Sequence, residues 1–417
     1  MAVSVFDPVA VPEGPAGVEA LKSHIFGQQT GDAESLRITE QAITVLTERL
    51  VKQQDAQALS ELLGQLRGFF SIIPKAKTAK IVRSIIDSIA KVPNSTQLQV
   101  EVCKEQVAWA RSEKRTFLRQ RIELRLASLY LEAQQFQAAL ELIASLLSEV
   151  KKLDDKLLLV DIHLLESKTH HLLRNMPKSR AALTSARTAA NAIYVPVQLQ
   201  AEIDCQSGIL AAEEKDYKTA FSYFFEGFEQ YSSLSDTPHA VQLLKYMLLT
   251  KVMMGDAGDV PGIISSKSGL KYLGRSVDAM KAVARASQDR SISAFQEVLA
   301  QYPKELVEDP LMNAHLSSLY STLLEQNLLR LIEPFSRVEL AHVAHLIALP
   351  LDKVEMKLSQ MILDKKLCGT LDQGAGCLEV FDPPPPDNVY PTALGIVESM
   401  GRVVDTLFTR SQKIVAV

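Results

Sequence analysis

The sequence predicts a mostly α protein: a right-handed solenoid of stacked helical hairpins, then a small winged-helix module, then one long C-terminal helix. Three observations carry that prediction. Apolar residues recur at helical spacing over residues 33–302, in stretches rich in Ala, Leu, Glu, Lys and Gln. A short string returns at a fixed interval inside that region. Past residue 302, two short β-rich strings flank a glycine-rich turn.

Residues 1–32 carry Pro8, Pro12, Gly14, Pro15 and Gly17 with little to pack, and read as a flexible Pro/Gly-rich N-terminal tail. The solenoid follows over residues 33–302. Its first apolar stripe is Ile38, Ala42, Val45, Leu46 and Leu50, whose spacing keeps one face together. Breaks are short: Pro74, Pro93-Asn94, Asn175-Met176-Pro177, Pro196 and Asp236-Thr237-Pro238. Helices stop there because proline lacks the amide donor and clashes with the preceding turn.

The repeat decides the kind of helical protein. Gln134-Gln135-Phe136-Gln137-Ala138-Ala139-Leu140 matches Lys215-Asp216-Tyr217-Lys218-Thr219-Ala220-Phe221 at a distance of 81 residues, and residues 53–59 lie another 81 upstream. Ala127 stands twelve residues before Ala139, and Gly208 twelve before Ala220. Phe136 and Tyr217 follow the small residues by nine. This resembles the tetratricopeptide pattern, in which small residues let two helices approach and the aromatic fills the groove, stretched here to about 40 residues per repeat. The middle repeat, around Ser167 and Ala182, matches loosely, with three extra residues at its turn.

Residues 303–382 form the winged-helix module. Residues 313–331 are an apolar-striped helix; Ser336 and Glu339 read as a capping box opening a helix over 337–348. A helix over 351–367 comes next, and residues 369–372 and 377–381 form a hairpin. Residues 383–417 are a polyproline hinge and an amphipathic helix with Ile396, Met400, Val403, Val404, Leu407 and Ile414 on its apolar side. That helix has nothing of its own left to pack on.

Composition excludes several functions. Lys+Arg 45 against Asp+Glu 49 leaves a net charge of −4, so there is no global cationic field for nucleic acid or anionic lipid. Residues 336–382 of the winged-helix module hold five cations and seven acids, unlike a DNA reader. Cys103, Cys205, Cys368 and Cys377 include no CxxC and make no disulfide framework, which suits a reducing compartment. No secretory signal is legible in the first thirty residues, and no run approaches the ~18 apolar residues of a membrane span. The Asn94-Ser95-Thr96 sequon is expected to stay unmodified, and the protein to reside in cytoplasm and nucleus.

No phosphate loop, dinucleotide fingerprint, nucleophile elbow or HExxH occurs. Glu339, His342 and His345 diverge around a helix, and His163, Glu166 and His170 lack a long-range fourth ligand. No catalytic residue, metal or cofactor is therefore expected. The basic stretch Arg111, Lys114, Arg115, Arg119, Arg121 and Arg125 reads first as a solvated helix face, and second as a dock for an acidic protein surface.

The order solenoid, winged helix, trailing helix resembles the PCI-domain family of the proteasome lid, the signalosome and translation initiation factor three. Particular strings point to the lid members: residues 111–120 (RSEKRTFLRQ), 180–187 (RAALTSAR), 215–225 (KDYKTAFSYFF), 323–338 (LLEQNLLRLIEPFSRV), 357–366 (KLSQMILDKK) and 371–374 (LDQG). The resemblance implies a scaffold without catalysis, needed for lid assembly and for clamping the regulatory particle to the core particle in ubiquitin-dependent degradation. It implies that the wing pairs edge to edge with other PCI lid subunits, with Cys377, Leu378, Val380 and Phe381 forming the wing edge or its packing. The C-terminal helix, through Ile396, Met400, Val403 and Leu407, joins the lid helical bundle. The solenoid reaches the core-particle α-ring and the ATPase ring. The alternatives are a signalosome or initiation-factor PCI scaffold, and a winged-helix nucleic-acid adaptor. Neither nucleic acid nor membrane is an expected partner.

Overall fold

A computed structural model of the chain describes residues 15–27, 33–70, 73–93, 95–306, 309–347, 349–381 and 388–415. The backbone divides into two compact units, Met1–Met280 and Lys281–Val417. In the first lie α1 (Pro15–Gly27), α2 (Ala33–Lys52), α3 (Ala56–Gln65), α4 (Arg67–Phe70), α5 (Lys75–Ala90), α6 (Thr96–Ser112) and α7 (Thr116–Glu132). After these come α8 (Phe136–Leu153), α9 (Lys156–Leu172), α10 (Met176–Asn191), α11 (Val197–Glu213), α12 (Tyr217–Ser233), α13 (Thr237–Met254) and α14 (Val260–Ile264), and then α15 (Arg275–Gln288), which runs from the first unit into the second. In the second unit lie α16 (Ile292–Gln301), α17 (Pro303–Leu306), α18 (Pro310–Ile332), β1 (Arg337–Glu339), α19 (Leu340–Ile347) and α20 (Leu351–Leu363). It closes with β2 (Gly369–Asp372), β3 (Cys377–Val380) and α21 (Val389–Val415).

The tail expected over residues 1–32 is helical where it is described. In α1, Val18, Leu21 and Ile25 are buried in the same core as Leu46 and Leu50 of α2. Their spacing of three and four presents one apolar face, which outweighs the surrounding Pro and Gly. The Asn94 sequon and the proline run 383–386 lie outside the described residues.

Two-residue corners make the hairpins. At Lys114, Gln134, Arg174, Lys215 and Ser235 the backbone turns left-handed, with φ between 52° and 65°. The next residue then sends its N–H back to a carbonyl five residues earlier, as from Gln135 to Tyr130 (2.8 Å) and from Asp216 to Ala211 (3.0 Å). This six-to-one bond closes the outgoing helix. At two of these corners the same residue also caps the incoming helix: Asn175 and Asp216 accept from the N–H groups of Lys178 and Thr219, whereas Arg115, Gln135 and Asp236 make no side-chain cap. What the five corners share is the left-handed residue and the six-to-one bond that follows it.

The small-residue pairs behave as their spacing predicts. Ala127, Ala139 and Ala220 are fully buried, and a Cβ on Gly208 would lie 2.6 Å from the Phe224 ring. The middle repeat is more regular than its sequence suggests. Ser167 and Ser179, also twelve apart, are both buried and share a 3.0 Å hydrogen bond. Ser179, not Ala182, holds the helix B position, and Met176 takes the place of Phe136 and Tyr217, so the turn has no extra residues. Those three side chains are half-buried at the starts of α8, α10 and α12.

In the second unit, the capping box expected at Ser336–Glu339 is a strand. β1 pairs antiparallel with β3, giving a three-stranded sheet of order β1-β3-β2. Val338, alternating with exposed Arg337 and Glu339, points into a core with Leu328, Leu340, Val343, Leu358 and Leu378. Period-two burial wins over the capping preference of Ser336.

Candidate functional site

Two surfaces of the described residues are left open, an apolar helix face and the edges of a small sheet. The first is α21. Val389, Tyr390, Leu394, Ile396, Val397, Met400, Val403, Val404, Leu407 and Phe408 are each more than half exposed. Ile396, Met400, Val403 and Leu407, spaced four, three and four, form one seam as the sequence predicts. Tyr390, Leu394, Val397 and Phe408 were not among the predicted residues, although they fall beside that seam at helical spacing. Contiguous apolar surface on this scale marks an interaction face. Full burial is worth about 1.5–3 kcal/mol per large aliphatic or aromatic side chain, so covering half the face would offset much of the ~4–15 kcal/mol cost of association.

The second is the sheet. Here the expected wing edge needs correction, because β3 is the middle strand. Val380 N–H donates to Ser336 O (2.9 Å) on one side, and Phe381 N–H to Cys368 O (2.8 Å) on the other. Antiparallel alternation then assigns the N–H groups of Leu378 to β1 and Glu379 to β2. Cys377 and Leu378 are buried and Val380 is half-buried, so these three pack the wing and offer no open ladder; Phe381 alone is exposed. The open edges are the outer sides of β2, with Gly369 and Leu371, and of β1, with Arg337 and Glu339. Gly369 has no room for a side chain, since a Cβ would lie 2.5 Å from the Glu379 carbonyl oxygen. Cys377 missed as an edge residue because hairpin pairing was legible in the sequence while the third strand was hidden inside an apparent helix start.

The basic stretch is mostly paired between helices instead of solvated. Arg119 is one-sixth exposed and binds Glu149 of α8 and Glu123 of its own helix. Arg115 donates to Phe70 O (3.1 Å) and stacks over Trp109, 4.8 Å from the ring centre. Arg121 reaches Asp161 of α9 at 3.4 Å. Burial raises Glu123 above the ordinary carboxylate range, opposed by Arg119. Burial likewise pushes Asp161 up to about 6 against the pull of Arg121.

The remaining polar candidates form no cluster of metal-ligating side chains among the described residues. His163 pairs with Glu166 at 2.9 Å, and that bond holds the Glu166 carboxyl low. His342 and His345 are exposed on α19 while Glu339 sits in β1, so the three share no helix face. Burial pushes the Cys103 thiol up to about 11. Glu325 of α18 holds Lys357 (2.9 Å) and Lys366 (2.6 Å), tying α18 to α20 and the turn after it.

Comparison with known proteins agrees with this organisation. Residues 11–133 match the 26S proteasome regulatory subunit RPN6 N-terminal domain, residues 299–382 the PCI domain, and residues 386–412 the 26S proteasome subunit RPN6 C-terminal helix domain. The 26S proteasome non-ATPase regulatory subunit 11 homolog of Arabidopsis thaliana is 62% identical over 392 residues, covering 94% of this chain and 93% of its own. This chain belongs to the Rpn6 family. The probable rpn6 of Schizosaccharomyces pombe is 49% identical over 88% of the chain and 87% of its own length. RPN6 of Saccharomyces cerevisiae is 47% identical over 89% and 87%. The Rpn6 C-terminal helix model falls on α21, whose apolar side chains are exposed among the described residues.

Proposed function

We propose that the chain is a non-catalytic scaffold subunit of the proteasome regulatory-particle lid. The observation that carries this is α21, an apolar helix uncovered along its length in a chain of the Rpn6 family. On this reading α21 enters a helical bundle with other lid subunits. The outer edge of β2 receives a neighbouring PCI subunit by strand addition, since no described strand pairs with that side. The solenoid bridges the core-particle α-ring and the ATPase ring, a task suited to repeats that are already rigid and lose little entropy on binding. The work is done in cytoplasm and nucleus; no described helix is long and apolar enough to cross a membrane.

Affinity purification of the tagged full-length protein, with mass spectrometry of its companions, tests the proposal. Lid, ATPase and core-particle subunits are expected at comparable yield, and deletion of α21 should remove them. Recovery of signalosome or initiation-factor subunits in their place would overturn it.

A further inference from the structure

Arg125, the last residue of the basic stretch, forms no ion pair among the described residues, and its Nε is buried without a hydrogen-bond partner. It opens into a groove on one face of the solenoid, walled by every second helix: α5, α7, α9 and α11. The floor is aliphatic, from Leu124 of α7, Leu164 and Leu165 of α9 and Leu199 of α11. Two of its three carboxylates are engaged, Asp161 with Arg121 (3.4 Å) and Glu202 with Lys168 (2.8 Å). Among the described residues Arg83 of α5 donates only to the Ala79 carbonyl of its own helix, and Lys80 of α5 and Lys91 just past its end extend a cationic rim. Six cations thus face three carboxylates, in a chain whose net charge is −4.

We propose that this groove binds an extended acidic segment of a partner protein. Its carboxylates would pair with the Arg83 and Arg125 guanidinium groups, and an apolar side chain between them would rest on the leucine floor. A guanidinium takes a carboxylate by two parallel hydrogen bonds, which suits two unpaired arginines. The floor offers no aromatic ring on which a base could stack, so the groove favours peptide over single-stranded nucleic acid. The inference is independent of which complex the chain joins.

The test uses the full-length protein and a fluorescent peptide of alternating Glu and Leu, read by anisotropy. Saturable binding should weaken by about tenfold or more in Arg83→Glu/Arg125→Glu and on raising salt, as close charge pairs do. Lys178→Glu, an exposed change outside the groove, should leave binding unaltered. Because Arg125 is half-buried, Arg83→Glu alone, exposed and free to change, provides a second reading and should weaken binding in the same direction. Failure of the Glu–Leu peptide to bind would overturn the proposal. So would unchanged binding in folded variants, or an oligoadenylate that binds as tightly and with the same sensitivity.

Discussion

Single residues set the spacing of the repeats. Gly208→Ala gains helix propensity of about 1 kcal/mol but drives a methyl into the Phe224 ring, which is itself fully buried and packed 5.5 Å from Tyr246. Overpacking costs about 1–3 kcal/mol, so a net loss of stability is expected, measured by urea titration of the full chain. Asp161 makes a pH prediction. Its folded value of about 6 lies above the ordinary 3.8, so the protonated form is the one folding favours, and its contribution to stability is lost as pH rises between those values. Relative to Asp161→Asn, the wild type should therefore lose on the order of 2–3 kcal/mol between about pH 4 and pH 7. A constant difference across that range would refute the assignment. The corner residues were legible only as strings: left-handed geometry at Lys114 or Arg174, without glycine, leaves no compositional mark.

At the scale of elements, the sheet separates two prolines that look equivalent in sequence. The Val380 N–H lies inside the ladder, so Val380→Pro breaks the bond to Ser336 and should unfold the wing. The Leu371 N–H points outward, so Leu371→Pro removes no internal ladder bond and disturbs only the packing of a half-buried side chain. On the lid proposal, Leu371→Pro should retain the melting profile of the second unit yet lose PCI neighbours in the affinity purification. If it assembles normally, β2 is not the joining edge. Helical periodicity made the solenoid and α21 readable, because burial there follows one rule over many residues. β1 was unreadable because three residues are too few for a period to emerge, and Ser336 with Glu339 satisfies a helix-start rule equally well. The same short strand hid which strand of the wing is central.

For the whole molecule, folding and assembly draw on different surfaces. Each unit has its own buried core, whereas every described side chain of α21 is exposed. Deleting residues 388–417 should leave the calorimetric unfolding midpoint of the remainder unchanged and should reduce self-association in sedimentation velocity at the same concentration. A drop in the midpoint would mean that α21 contributes to a core after all. The uncovered stripe also makes supply a matter of stoichiometry. A copy synthesised without companions displays the same kind of greasy surface as a damaged protein, and is open to chaperones and to clumping for as long as it waits. Production of such a chain is safe only when matched to that of its neighbours.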